Sequence, residues 1–196
     1  MKRLLLLSIP LLFAGCISPK TSPVQKNYQL LPAETMGTSS KEFTLPFLVI
    51  GPVEINLYLD QSRFALRVND HQIQYQDYQR WAEPLGNNIS NVLSANLRTY
   101  FQVSDILPNT PRLLLGKEQL RVIILVNRMD VDLEGKALLD VQWFLINPKQ
   151  KKEALIHTGT YTGTAADTTM LSRVTALNKL LTEFSLDLAK GLEKEL

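Results

Sequence analysis

The sequence predicts an α+β fold, with a mainly antiparallel sheet and two long helices packed on one face. Three observations predict it. Strand-like stretches fall into two groups, 45–76 and 120–164, and do not alternate one for one with helices. Two segments, 80–101 and 168–196, carry apolar residues at helical spacing. Sequential strands in separate groups, with helices between, favour helices segregated to one face of the sheet, which buries two helical stripes and one sheet face together.

The chain opens with Met1-Lys2-Arg3 and continues through a short apolar run, Leu4 to Phe13, to Ala14, Gly15 and Cys16, the single cysteine of the sequence. A basic head, a short apolar run and small residues before a cut site make a secretory signal. The run is shorter than the roughly 20 apolar residues a membrane-spanning helix needs. Phe13-Ala14-Gly15-Cys16 resembles the lipobox of bacterial lipoproteins, with Phe13 where leucine is more usual. That resemblance implies a diacylglyceryl group on the Cys16 sulfur, cleavage before Cys16 and acylation of the new amino terminus. Several acyl chains, at about 0.8 kcal/mol per buried methylene, make an anchor effectively permanent. Ile17 stands where aspartate would hold a lipoprotein at the inner membrane, so the inner leaflet of the outer membrane is the expected address.

Residues 1–15 are therefore read as a signal peptide, 16–27 as a lipidated tether and 28–196 as one domain. The tether holds two prolines, and its eleven residues after Cys16 reach roughly 35 Å when fully extended. The formal charge of +2 comes from 21 basic and 19 acidic side chains. Loss of Lys2 and Arg3 leaves the two counts equal, so no concentrated positive surface argues for nucleic acid. With no second cysteine for a disulfide, the fold rests on its core.

In the domain, the strand stretch 45–59 is interrupted by Gly51-Pro52, which predicts a bulge or an edge position. Phe64 to Val68 alternates and is expected to pair with 71–76 across Asn69-Asp70. Leu85, Ile89, Val92, Leu93, Leu97, Tyr100 and Phe101 form the first helical stripe, with Pro84 in the first turn. Trp81, just outside, is placed to pin the helix entry to the sheet; ligand stacking is the alternative. Residues 120–132 are nearly continuous apolar, as in a strand covered on both sides. Leu139, Val141, Trp143 and Leu145 share one face of the next strand, Glu134-Gly135 marks the turn between them, and 154–164 is a third strand. Met170, Val174, Leu177, Leu181, Phe184, Leu188 and Leu192 form the second helical stripe, with Thr168 or Thr169 as its cap and Gly191 as a fraying point.

Motifs for chemistry are scarce. His71 and His157 each stand alone, without a partner at metal-ligand spacing, and Cys16 is consumed by lipidation. No GxSxG elbow occurs, and Gly116-Lys117 lacks the upstream glycine of a P-loop. Asp130, Asp132 and Glu134 read as the solvated end of a hairpin. The sequence predicts no catalytic residue, no metal and no cofactor.

Asn27 to Pro32, Val53 to Tyr75 and Arg80 to Leu85, in that order and followed by a helix and a long leucine-rich helix, resemble the ABC-type transport auxiliary lipoproteins, the PqiC-type or YmbA-like intermembrane transport lipoproteins. The most specific parts are Tyr58-Leu59-Asp60 and Trp81-Ala82-Glu83-Pro84-Leu85. The resemblance implies a non-catalytic, outer-membrane-anchored partner of a lipid transport system containing an MCE-domain protein and an inner-membrane permease. It makes Cys16 the anchor and Tyr58, Leu59, Asp60, Trp81, Pro84 and Leu85 signature residues expected to build the fold. A domain that caps a multimeric MCE ring would itself be a homo-oligomer. Two alternatives stay open: a direct lipid-binding module, and an assembly lipoprotein for an outer-membrane barrel. The strand with Gly51-Pro52 is the expected docking edge, through Val49 and Val53.

Overall fold

The computed structural model describes residues 23–40, 47–109, 119–149 and 155–196. The lipobox residues Phe13, Ala14, Gly15 and Cys16, like Gly116-Lys117, lie outside the described residues. Among those described, one sheet of eight strands carries both helices on one face. The strands are β1 (Lys26–Tyr28), β2 (Leu48–Ile55), β3 (Arg63–Asn69), β4 (Gln72–Trp81), β5 (Ile106–Pro108), β6 (Leu120–Asp132), β7 (Lys136–Ile146) and β8 (His157–Thr164). The helices are α1 (Leu85–Phe101) and α2 (Met170–Glu195). The α+β class holds, and the sheet is mixed: β3–β4, β6–β7 and β7–β8 are antiparallel, whereas β1–β4, β2–β5, β2–β6 and β3–β6 are parallel. The parallel pairings of β2 with β5 and β6, and of β3 with β6, arise because α1 separates the first strand group from the second, so the later strands return beside strands they do not follow in sequence.

The 13-residue β6 is the spine. Along one side it pairs with β7; along the other, Leu120–Val126 pairs with β2 and Val131–Asp132 with β3. Leu120, Val122, Ile124 and Val126 face the helices with Leu139, Val141 and Trp143 of β7 and are buried. Ile123 and Leu125, on the opposite face, are only half-buried, so β6 is paired along both edges but has one core face. Every member of the α1 stripe is buried, as is the α2 stripe from Val174 onward. Ser172 N donates to Thr169 Oγ1 at 3.2 Å, making Thr169 the cap of α2.

The Gly51-Pro52 step is a bulge, with a register shift between Ile50 and Val53. Gly51 has φ of 122°, and a Cβ on it would lie 2.8 Å from the Asn109 Cβ, so only glycine fits. The edge expectation is overturned for the first half of β2. Residues 48–50 are hydrogen-bonded to β5 on one side and β6 on the other, with Val49 0% exposed, whereas among the described residues 53–55 pair with β6 alone. The sequence hid this because β5 is only three residues long, too short to leave a period.

Gly191 is also not where α2 frays. Its bare Cα seats the Trp143 indole: an added Cβ would lie 2.5 Å from Cζ2 and 2.9 Å from Cη2. Trp143 also stacks on His157 at 4.1 Å between centroids, so the indole is held by both. Alanine in place of glycine normally gains about 1 kcal/mol within a helix, but overpacking a filled core costs about 1–3 kcal/mol. Gly191→Ala is expected to lose up to about 2 kcal/mol in urea melts, with recovery in a Trp143→Phe background. A gain in stability would contradict this packing.

Lys26 and Asn27 pair with Gln79 and Arg80 in β1. The chain then crosses the seam between α1 and α2 as a strap sewn down by asparagines. Asn88 Oδ1 accepts from Leu30 N at 2.7 Å while its Nδ2 donates to Leu30 O at 3.1 Å. Asn178 Oδ1 accepts from Leu31 N at 2.8 Å, and Asn96 Oδ1 accepts from Ala33 N at 2.9 Å. Asn96 Nδ2 also donates to Ser185 Oγ at 2.9 Å, linking the helices directly. Ser39 N donates to Tyr100 O at 2.8 Å.

Candidate functional site

The two signature stretches, some twenty residues apart in sequence, meet at one place. A cleft of about 260 Å³ is lined by Asp60, Gln61, Ser62, Trp81, Glu83 and Leu85, with Ala82 and Pro84 beside them. The β3–β4 hairpin brings them together: Trp81 N donates to Ser62 O at 2.8 Å, and Ala82 N donates to Tyr28 O at 2.8 Å. β4 ends at Trp81, and Pro84 starts α1 as its N-cap residue, where its missing N–H costs nothing.

Each signature residue has a visible task. Leu59 and Leu85 are buried in the core, and Trp81, 8% exposed, packs on Phe64 with ring centroids 5.3 Å apart. Trp81 is thus a packing residue that shows one edge to the cleft. The turn that presents Leu59 is closed by its N–H donating to Asn56 O at 2.8 Å, with Asp60 N donating to the same carbonyl at 3.2 Å. This turn leaves Asp60 exposed at the rim and Leu57 84% exposed beside it. Leu57 therefore does not continue the alternation of Val53 and Ile55, since β2 has already ended. Glu83 accepts from Gln29 Nε2 at 3.1 Å, which fastens the strap to the rim.

Tyr58 points away from the cleft to a buried charge that the sequence did not suggest. Asp130 is 1% exposed and lies where β2 leaves β6 and β3 joins it. Arg67 Nε approaches its two oxygens at 3.0 and 3.1 Å, and Arg67 Nη2 donates at 2.7 Å. Arg128 Nε adds contacts at 3.0 and 3.2 Å, and the Tyr58 hydroxyl donates at 3.0 Å. Burial pushes the Asp130 carboxyl up, but the hydrogen bonds from Arg67 and Arg128 outweigh it and hold the group below the usual carboxylate range. Burial, reinforced by the Asp130 charge, pushes the Tyr58 hydroxyl up to about 12, so it stays protonated and donating. The hairpin-end reading therefore fails for Asp130. It holds for Asp132, whose carboxylate accepts from Lys136 N, and for Glu134, which pairs with Lys136.

The histidines part company. His71 is exposed in the β3–β4 turn, while His157 stacks on Trp143 with its Nε2 3.2 Å from Glu195 Oε1. Among the described residues no three histidine, cysteine or acidic side chains gather as metal ligands, and no helix is long and apolar enough to cross a membrane. What the sequence missed had a trace. Asn88 and Asn96 fall on the buried stripe of α1, and Arg128 and Asp130 share one face of β6 at a spacing of two. Polar residues on a buried helical stripe, or oppositely charged residues paired on one strand face, are a sign of internal bonding.

Comparison with known proteins agrees with the signature. Residues 28–189 match the model of a family described as ABC-type transport auxiliary lipoprotein component. The Escherichia coli (strain K12) intermembrane transport lipoprotein PqiC is 27% identical over 146 residues, 74% of each chain. The crystal structure of an uncharacterized protein superimposes with a TM-score of 0.69 at 18% identity, covering 87% of this chain and 99% of that one. A Xanthomonas campestris protein superimposes with a TM-score of 0.66 at 13% identity, covering 85% and 98%. At these identities the two structures establish the fold alone.

Proposed function

Because this chain belongs to the ABC-type transport auxiliary lipoprotein component family, we propose that it is the outer-membrane-anchored docking subunit of an intermembrane lipid transport system, and that it performs no catalysis. Cys16 carries the acyl chains after removal of residues 1–15, and the remaining tether leads directly into the strap across α1 and α2. An MCE-domain protein, with an inner-membrane permease behind it, is the partner held at the far end of the path. The subunit's part in envelope integrity follows from keeping that path attached to the outer membrane.

The observation that carries this reading is the extent of the family match, which spans both signature stretches and most of α2. Two cavities of the domain are small for a lipid site. The cleft of about 260 Å³ and a second groove of about 330 Å³ sit at or below the low end of the roughly 300–1,000 Å³ typical of small-molecule sites. A two-chain lipid needs more room than either offers.

The test is in-cell cross-linking of the full-length protein with labelled palmitate present. The expected result is palmitate on the wild type and none on Cys16→Ser, with an MCE-domain protein recovered from the wild type. Recovery of an outer-membrane barrel in its place, or a wild type without palmitate that washes out with soluble proteins, would overturn the proposal.

A further inference from the structure

β8 is a free edge of the sheet along its whole length. Among the described residues β8 pairs with β7 alone, from Trp143↔His157 to Lys136↔Thr164. Alternate residues of an edge strand turn their N–H and C=O groups outward, a template for one more strand. Along this edge β8 lines a groove with the last turns of α2, about 330 Å³ in volume. Trp143 and His157 form its floor at one end, Tyr161 closes the other with its hydroxyl on Asp187, and Lys190 and Lys194 stand on the helix side. Contacts of Glu195 with His157 and of Asp187 with Tyr161 show that α2 runs antiparallel beside β8. A strand added to β8 would therefore lie along α2 and beneath both lysines.

The charges specify the occupant. Among the described residues Lys190 and Lys194 form no ion pair, whereas the two nearby carboxylates, Asp187 and Glu195, are already held by Tyr161 and His157. Four helical residues separate the lysines by about 6 Å along the axis. Side chains two apart on one face of a strand are about 6.8 Å apart. The spacings match for acidic residues at alternate positions. We propose that the β8–α2 groove receives an extended, acidic segment of a partner protein as an added strand, its carboxylates at positions i and i+2 meeting Lys190 and Lys194. Backbone pairing supplies affinity, and the lysines select the register. A second copy's β8 would not serve, because His157 to Thr164 contains no acidic residue. This inference rests on the docking role proposed above, and it moves the docking edge from β2 to β8.

The test uses the full lipidated chain in detergent, with the fluorescent decapeptides (Thr-Glu)5 and (Thr-Lys)5 as probes and a photo-cross-linking residue at Thr160. (Thr-Glu)5 is expected to bind saturably and cross-link at Thr160, and (Thr-Lys)5 to bind far more weakly. Lys190→Glu combined with Lys194→Glu should weaken (Thr-Glu)5 by about tenfold, the worth of two exposed ion pairs, with an unchanged thermal melt. Equal binding of the two peptides, no effect of the double substitution, or a Thr160 cross-link to a second copy would overturn it. In cells, an MCE-domain protein recovered by general cross-linking but never through Thr160 leaves the docking role standing and rejects this groove. Peptide binding at Thr160, with no MCE-domain protein recovered by any route, rejects the docking role and keeps the groove.

Discussion

Asp130→Ala is expected to cost about 3–5 kcal/mol, because it leaves the Arg67 guanidinium largely buried without its counter-charge. The Arg67 side chain is 15% exposed and Asp130 1%, so water screens this pair poorly. Arg128, 37% exposed, adds less. For a domain of this size each kcal/mol moves the melting temperature by about 2–4 °C, so the variant should melt about 10 °C lower. The position of the cluster makes the loss global. Tyr58, Arg67, Arg128 and Asp130 close the gap where β2 has left β6 and β3 has not fully joined. Removing both main partners, in Asp130→Leu with Arg67→Met, should recover much of the loss, since an apolar pair of similar size is often neutral in place of a buried ion pair. Single and double variants compared by urea melts give the coupling. A single-variant loss below about 1 kcal/mol would place the cluster in effectively aqueous surroundings.

The same group sets an acid limit. Its folded pKa lies below the ordinary carboxylate range, so its contribution is fully present above the unfolded value of about 3.9. That contribution disappears as pH falls through the lower, folded value. The gap in stability between wild type and Asp130→Ala should therefore be constant near neutrality and close below about pH 4.

How much of this was legible depended on period and length. Both helices, the long strands β6 and β7, and the β3–β4 hairpin repeat their apolar spacing for several cycles, and they appear where that spacing put them. β1 and β5, three residues each, complete no cycle. That is why β2 read as an edge and β8 did not stand out: identifying an edge requires knowing every neighbour, and neighbours joined in parallel are distant in sequence. Of the signature residues, Leu59, Trp81 and Leu85 are buried in the core. The cleft shared by the two signature stretches depends on a hairpin register with two irregularities, at Arg63/Phe64 and Arg67/Asn69, which no local pattern encodes. Asp130 was misread because the charges around it suggested solvent, while its partner Arg67 lies 63 residues away. Gly191 was misread because a glycine late in a helix usually marks weakness; here it makes room for an indole.

Asn88 decides whether the strap stays fastened to α1. Its carboxamide, 2% exposed, occupies both backbone groups of Leu30, a residue itself buried in the core. Asn88→Ala strands one buried donor and one buried acceptor at about 1–3 kcal/mol each, so a loss of about 2–5 kcal/mol is expected. Asn88→Asp keeps the acceptor for Leu30 N but turns the second oxygen against Leu30 O, and should be nearly as damaging despite its shape. Asn178→Ala removes a bond that water can replace at exposed Leu31 and should cost about 0.5 kcal/mol. Hydrogen exchange gives the specific reading, because the amides of Leu30 and Ala33 should open in Asn88→Ala before those in the middle of α1. Uniform acceleration would assign Asn88 to the core generally. Selective opening would mean that the strap detaches as a unit. Because β1 still pairs with β4 ahead of Leu30, a domain with a loosened strap can keep its fold while the stretch that Asn88, Asn96 and Asn178 bind lifts from the helix layer.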